Sequence, residues 1–146
     1  MTFKNYKHCA PIQVRFSDVD KLNHVNNAYY LTYLETARVQ YFRQVFGNQV
    51  NWSETGFVIA RSEINYKVPI YLNDDIHCFT TVEKLGNKSM TLQNAIVKKV
   101  GNELVECADG IIVLVAMDYT THTKIPLPDL WRELISEFEG KNFFII

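Results

Sequence analysis

From Phe57 to Met117 four β-rich segments follow one another with no helical stretch between them: "FVIARSEINYKV", "DIHCFTTVEKL", "SMTLQNAIVKKV" and "ELVECADGIIVLVAM". The first alternates Val58, Ala60, Ser62, Ile64 and Tyr66 against Ile59, Arg61, Glu63 and Asn65, the two-residue period of a half-buried strand. Gly86-Asn87 and Gly101-Asn102 separate the last three segments, and Gly-Asn pairs suit the tight turns of antiparallel hairpins. A parallel sheet needs a crossover, usually a helix, between successive strands. This order therefore excludes a doubly wound fold and predicts an antiparallel meander.

One long helix precedes the meander. Between Asn27 and Phe46, Tyr30, Leu34, Ala37, Tyr41 and Val45 recur at three- and four-residue intervals, the signature of a helix with one buried stripe. Asn26 or Asn27 can cap its start, and Gly47 supplies a residue able to take the left-handed conformation that ends it. Glu35 and Arg38 stand three apart and can pair on one face. An opening strand candidate, "APIQVRFS", comes before the helix. Leu130, Leu134, Ile135 and Phe138 mark a short amphipathic helix near the end, followed by the apolar tail "FFII", which is expected to dock on its own domain or a partner subunit. The expected architecture is α+β: a curved antiparallel sheet of about five strands wrapped around one long helix, with a short C-terminal helix.

Composition narrows the class further. A chain of 146 residues that is 47% hydrophobic fits a single domain over residues 1–146. Its net charge of -1 offers no global field to attract nucleic acid or an anionic membrane, so an anionic ligand must be held by a local cluster. Cys9, Cys78 and Cys107 are odd in number and widely spaced, which suggests reduced thiols rather than a disulfide framework or a zinc site. The apolar run "GIIVLVAM" is too short to span a bilayer, and "MTFKNYKHCA" lacks the apolar core of a signal peptide. A cytoplasmic protein is expected.

The chemistry concentrates in "RFSDVDKLNHVNNAYYLTYLETAR", Arg15 to Arg38. A helix start presents unpaired amides and the positive end of the macrodipole, so it can bind an anion or stabilise charge developing on a carbonyl oxygen. Asp20 lies seven residues before Asn27, within reach of a loop that folds its carboxylate back toward the amides of Asn26 or Asn27. A carboxylate opposite an oxyanion donor is a recipe for acyl transfer to water. Asp and Asn before helices also serve as plain caps and turn formers. Asp18, Asp20 and His24 are potential metal ligands, but no second histidine stands at ligand spacing, since His8, His77 and His122 are scattered; no metal or other cofactor is expected.

The segment "SDVDKLNHVNNAYYLTYLETAR" resembles the hallmark of the hotdog-fold 4-hydroxybenzoyl-CoA thioesterase-like acyl-CoA thioesterases, whose pattern runs D-x-D-x-x-G-H-V-N-N-x-x-Y, then Glu and Ala-Arg on the helix. The likeness extends to "FVIARSEINYKVPIYLNDDI", "KLGNKSM" and "MDYTTHTKIPLP", from about Val14 to Pro128. It implies hydrolysis of an acyl-CoA, or an acyl-carrier-protein thioester, to free acid and thiol. Asp20 holds the position of the family's nucleophile or general base, and the backbone N–H near Asn27 that of the amide polarising the thioester carbonyl. A thioester suits so spare a site, because its thiolate leaves without strong acid assistance.

His24 keeps the histidine of the related plant acyl-carrier-protein thioesterases, "D-x-N-x-H-V-N-N", but Leu22 stands where their asparagine would be, so His24 is read as a positioning or auxiliary group. Asn23 replaces the glycine common in the bacterial pattern, which bears on the loop's backbone geometry. Asn26 and Tyr29 are candidate substrate contacts at the helix start. Arg61, Lys88 and Lys124, with Lys67, Lys98 and Lys99, are candidate cations for the CoA phosphates. Tyr33, Trp52 and Phe57 are candidates for lining the acyl pocket. The resemblance also implies a homodimer or homotetramer with the sites at the dimer interface. Two other readings remain open: a noncatalytic acyl-thioester-binding protein of the same fold, and a hotdog hydratase or dehydratase. The latter resemble D-x-N-P-x-H, with five positions from Asp to His; here there are four, and no proline lies between Asp20 and His24.

Overall fold

A computed structural model describes residues 3–144. Its elements in chain order are β1 (His8–Ile12), a 3-10 turn (Phe16–Asp18), α1 (Ala28–Phe46), β2 (Thr55–Tyr66), β3 (Ile76–Leu85), β4 (Ser89–Val100), β5 (Glu103–Asp118), β6 (Thr123–Lys124) and α2 (Asp129–Glu139). The long strands form one antiparallel sheet in the order β1-β3-β4-β5-β2, with β6 pairing to β5. This is the hotdog architecture: a curved sheet around one long helix, with two-residue β6 added to the five strands expected.

The β4–β5 hairpin closes with Val100 opposite Glu103, and Gly101 takes φ 62, the backbone that a primed two-residue turn requires at its first central position. The first strand is shorter than its sequence suggests. β1 stops at Ile12, opposite the first residue of β3, and the chain then turns because Arg15 directs its N–H and its side chain onto the Asp18 carboxylate.

Every residue of the predicted helical stripe is buried, namely Tyr30, Leu34, Ala37, Tyr41 and Val45, against core residues such as Ile76, Leu92, Ile96, Ile112 and Leu114. Burying such side chains is worth roughly 1.5–3 kcal/mol each, which is why α1 lies on the sheet rather than beside it. The helix runs antiparallel to β2. At one end the rings of Tyr30 and Tyr66 meet at 4.9 Å, and at the other Phe42 stacks on Phe57 at 5.4 Å. Gly110 lets the middle of the helix approach, since a Cβ there would lie 3.0 Å from Leu34.

β2 is an edge strand, and its run from Val58 to Glu63 is exposed on both faces, with Ile59 at 50%. In the C-terminal tail Phe143 packs against the core and Phe144 is 40% exposed, while Ile145 and Ile146 lie outside the described residues. Among the described residues no helix is long and apolar enough to cross a membrane.

Candidate active site

The polar run folds as a small hairpin that delivers the chain to α1. Val19 bridges Val25, the N–H of Asp20 bonds to the His24 carbonyl at 2.9 Å, and the N–H of Asn26 bonds to the Asp18 carbonyl at 2.9 Å. At its tip the Asn23 N–H returns to the Asp20 carbonyl at 3.0 Å, with Asn23 at φ 62. That is the left-handed region that glycine enters freely and asparagine tolerates better than most residues, so Asn23 does the work of the family's glycine.

The two aspartates have different surroundings. Asp18 is 0% exposed; its Oδ2 accepts from the Arg15 N–H at 3.0 Å and the Tyr33 hydroxyl at 2.7 Å, and its Oδ1 from Arg15 Nε at 3.0 Å. Burial alone would raise the Asp18 carboxyl, but the bonds from Tyr33 and Arg15 outweigh it and hold the group below its ordinary value. Asp20 is exposed, and among the described residues its carboxylate accepts only the Leu22 N–H, at 2.9 Å. Asp18 thus ties the hairpin to α1, while the Asp20 carboxylate faces solvent.

The helix start leaves one amide over. Asn26, not Asn27, supplies the side-chain cap, its Oδ1 accepting the Ala28 N–H at 3.0 Å; Asn27 already has helical dihedrals and makes no such bond. With the N–H of Asn26 given to Asp18 and that of Ala28 to Asn26, the Asn27 N–H has no acceptor among the described residues. The Asn27 carbonyl accepts the Tyr66 hydroxyl at 3.2 Å, which fixes the peptide that follows.

The remaining sequence candidates divide. His24 is half-buried, bridges Tyr71 and meets its ring edge-on at 5.0 Å. Tyr29 is half-buried beside the Arg15 guanidinium, 5.8 Å from its ring centroid. Tyr33 does not line a pocket: it is 2% exposed and spent on Asp18. Arg61 pairs with Glu63 at 3.0 Å, Lys67 with Glu106 and Asp109, and Lys98 with Asp74. Lys88 and Lys124 are exposed, on two segments that both bond to Ala116, whose N–H donates to the Lys88 carbonyl and whose carbonyl accepts the Ile125 N–H. Among the described residues no three His, Cys, Asp or Glu side chains are grouped closely enough to hold a metal ion.

Comparison with known proteins identifies the superfamily. The family model described as the Thioesterase-like superfamily matches residues 14–135. The chain belongs to that superfamily. Among thioesterase-like relatives, it is 30% identical over 129 residues to the long-chain acyl-CoA thioesterase FadM of Escherichia coli (strain K12), covering 86% of this chain and 95% of that protein. A thioesterase from Thermus thermophilus, crystallised with coenzyme A and Zn, superposes with a TM-score of 0.83 at 32% identity, covering 95% of this chain and 98% of that one. A predicted thioesterase from Bacillus stearothermophilus gives 0.78 at 28% identity, with 89% and 94% covered.

A residue that sequence reasoning missed is Tyr66. In the sequence it belongs only to the alternation of a strand, yet its hydroxyl and ring hold the start of α1. The signal is faint: a tyrosine at the end of a strand, with nothing local to say that the helix start lies over it.

Proposed function

We propose that this thioesterase-like protein hydrolyses an acyl-CoA thioester to the free acid and CoA. The observation that carries the reading is the hairpin that presents an exposed Asp20 ahead of a helix whose Asn27 N–H is left without an acceptor. The Asn27 N–H polarises the thioester carbonyl and stabilises the oxyanion, with the helix dipole behind it. Asp20 either adds to the carbonyl carbon, giving a mixed anhydride that water opens, or takes a proton from the attacking water. In both routes the C–S bond breaks, the thiolate leaves, and water supplies the new oxygen of the acid. FadM and the CoA-bound relative from Thermus thermophilus support CoA as the carrier.

His24, turned edge-on to Tyr71, acts by holding the hairpin, and Asn26 and Tyr29 border the reacting group. Lys88 and Lys124, both exposed, take phosphate oxygens of CoA, whereas Arg61 must first leave Glu63 to do so. The whole chain works as one domain, in the cytoplasm, and as a homodimer. The exposed β2 edge is the surface that pairs, and the sites form between subunits.

The test is thiol release from a panel of acyl-CoAs. Asp20→Asn is expected to lower kcat by about 10²–10⁴-fold, and His24→Ala by less than about tenfold. Full turnover by Asp20→Asn would reject the assignment. Tight acyl-CoA binding without turnover by the wild type would instead identify a noncatalytic binding protein.

A further inference from the structure

Tyr66 ends β2 beside the start of α1, and the strand holds it there by a device that the catalytic reading does not use. Successive side chains along a strand point to opposite faces, so Asn65 and Lys67 share the face opposite Tyr66. Both reach the same carboxylate. Asp109 sits across the ladder from Asn65, whose Nδ2 donates to its Oδ1 at 2.8 Å, and Lys67 Nζ lies 3.0 Å from its Oδ2. Burial alone would raise the Asp109 carboxyl, but the bonds from Asn65 and Lys67 outweigh it and hold the group below its ordinary value, so the clamp is ionised at neutral pH. The N–H groups of Lys67 and Val68 both bond to the Cys107 carbonyl, at 2.8 and 3.1 Å. Tyr66 is thus pinned on each side, although it is itself 52% exposed.

What Tyr66 holds is the backbone at Asn27. The peptide joining Asn27 to Ala28 is gripped at both ends: its carbonyl accepts the Tyr66 hydroxyl at 3.2 Å, and its N–H donates to Asn26 Oδ1 at 3.0 Å. In the preceding peptide the Asn26 carbonyl accepts the Tyr29 N–H at 3.0 Å, while the Asn27 N–H has no acceptor among the described residues. With both peptide planes held, the direction of the Asn27 N–H is set. Helix ends fray, and this one is tied to a strand by the Tyr66 hydroxyl and by the Tyr30 ring, which meets that of Tyr66 edge-on at 4.9 Å.

We propose that Tyr66 is a positioning residue for thioester hydrolysis, aiming the Asn27 N–H at the carbonyl oxygen, and that Asp109 acts through it by fixing Asn65 and Lys67. The proposal rests on the hydrolase reading above and adds how its oxyanion donor is kept in place. Both residues act through the backbone rather than by contact with the substrate. An oxyanion donor works only within about 2.7–3.1 Å of the place where the charged oxygen will stand, and losing such a donor costs about 10²–10³ in kcat. A donor left present but free to swing loses part of that.

Two measurements test it. Tyr66→Phe keeps the ring on Tyr30 and deletes the bond to Asn27. With decanoyl-CoA its kcat should fall by about tenfold while KM stays within about twofold, because the bond serves the transition state and not ground-state binding. A raised KM at unchanged kcat would mean that the hydroxyl contacts substrate, and wild-type values would mean that it plays no part; either overturns the proposal. Asp109→Ala should lower kcat in the same way and cost little more when combined with Tyr66→Phe, since the two changes break one chain of contacts. Additive losses would refute the link between them.

The second measurement reads the carbonyl without turnover. In Asp20→Asn, bound decanoyl-CoA isotope-labelled at its carbonyl carbon should show a C=O stretching band at lower frequency than the free thioester. Adding Tyr66→Phe should return that band by about half or more towards the free position, an effect that a merely structural tyrosine would not produce. A lowered band that ignores Tyr66→Phe refutes the positioning role and leaves the Asn27 donor standing. A band that is not lowered even with Tyr66 in place refutes the donor itself, and the proposal with it.

Discussion

Asp18 and Asp20 are two positions apart and chemically identical in the sequence, and the fold gives them opposite surroundings. The buried carboxylate of Asp18 must stay ionised to accept from Tyr33 and Arg15, and its pKa is held below the ordinary 3.8. The unfolded chain therefore binds this proton more readily than the folded one, so the associated stability is present above about pH 4 and is lost as pH falls through the lower folded value. His8 acts in the same direction at higher pH: burial lowers its pKa from 6.5, against a smaller opposing pull from Glu139, so its protonation also favours unfolding. Thermal melts from pH 7.5 down to 3 should show Tm declining first below pH 6.5 and again below pH 4, and His8→Phe should remove the first step. Asp18→Ala should lower stability by about 3 kcal/mol, near 10 °C in Tm, because it strands the Tyr33 hydroxyl and the Arg15 amide. The motif and the spacing to Asn27 single out Asp20 in the sequence, and the fold leaves it exposed on the hairpin. Sequence alone could not separate Asp18 from a metal ligand or Tyr33 from a pocket wall, since the bond between them joins residues fifteen apart across a turn that no local pattern encodes.

At the scale of elements, periodicity carried most of the fold. The stripe of α1 and the bounds of β4 emerge as read, because burial on one face imposes a period that survives in the residues themselves. β1 ends short of its β-rich run, because pairing to β3 decides the stop, and β6 is invisible in the sequence because two residues carry no period. The docking of α2 is equally hidden. Glu139, 2% exposed, accepts from the Tyr41 hydroxyl at 2.6 Å, the Thr81 hydroxyl at 2.8 Å and the Val82 N–H at 2.8 Å. The last of these satisfies the edge of β3 beyond the residue paired with the start of β1, so one carboxylate fastens α2 to α1 and closes a sheet edge. Replacing it by alanine leaves three buried donors unpaired, at a cost of about 3 kcal/mol or more. Glu139→Ala should lower Tm by about 10 °C and speed amide exchange at Val82 and along α2, while Glu139→Gln, which keeps an acceptor, should lose less than half as much.

For the whole molecule the unresolved demand is the β2 edge. A twelve-residue strand with Val58 and Ile59 exposed, and with one row of backbone groups unpaired, is a template for another strand. Natural edges are defended by prolines, by inward charges or by brevity, and β2 is long, contains no proline and carries its charges only at Arg61 and Glu63, which pair with each other. Pairing with its own copy satisfies the edge and closes the symmetry in one step. A lysine at position 59 would set two like charges near the two-fold axis of such a pair while leaving the internal β2–β5 ladder intact, because the main-chain bonds between these strands do not depend on that side chain. Ile59→Lys should therefore sediment as a monomer at micromolar concentration with an unchanged circular dichroism spectrum, and should lose thioester hydrolysis although Asp20 and Asn27 are untouched. A monomeric variant with full turnover would show that each subunit holds a complete site, and the pairing of β2 would then have no part in catalysis.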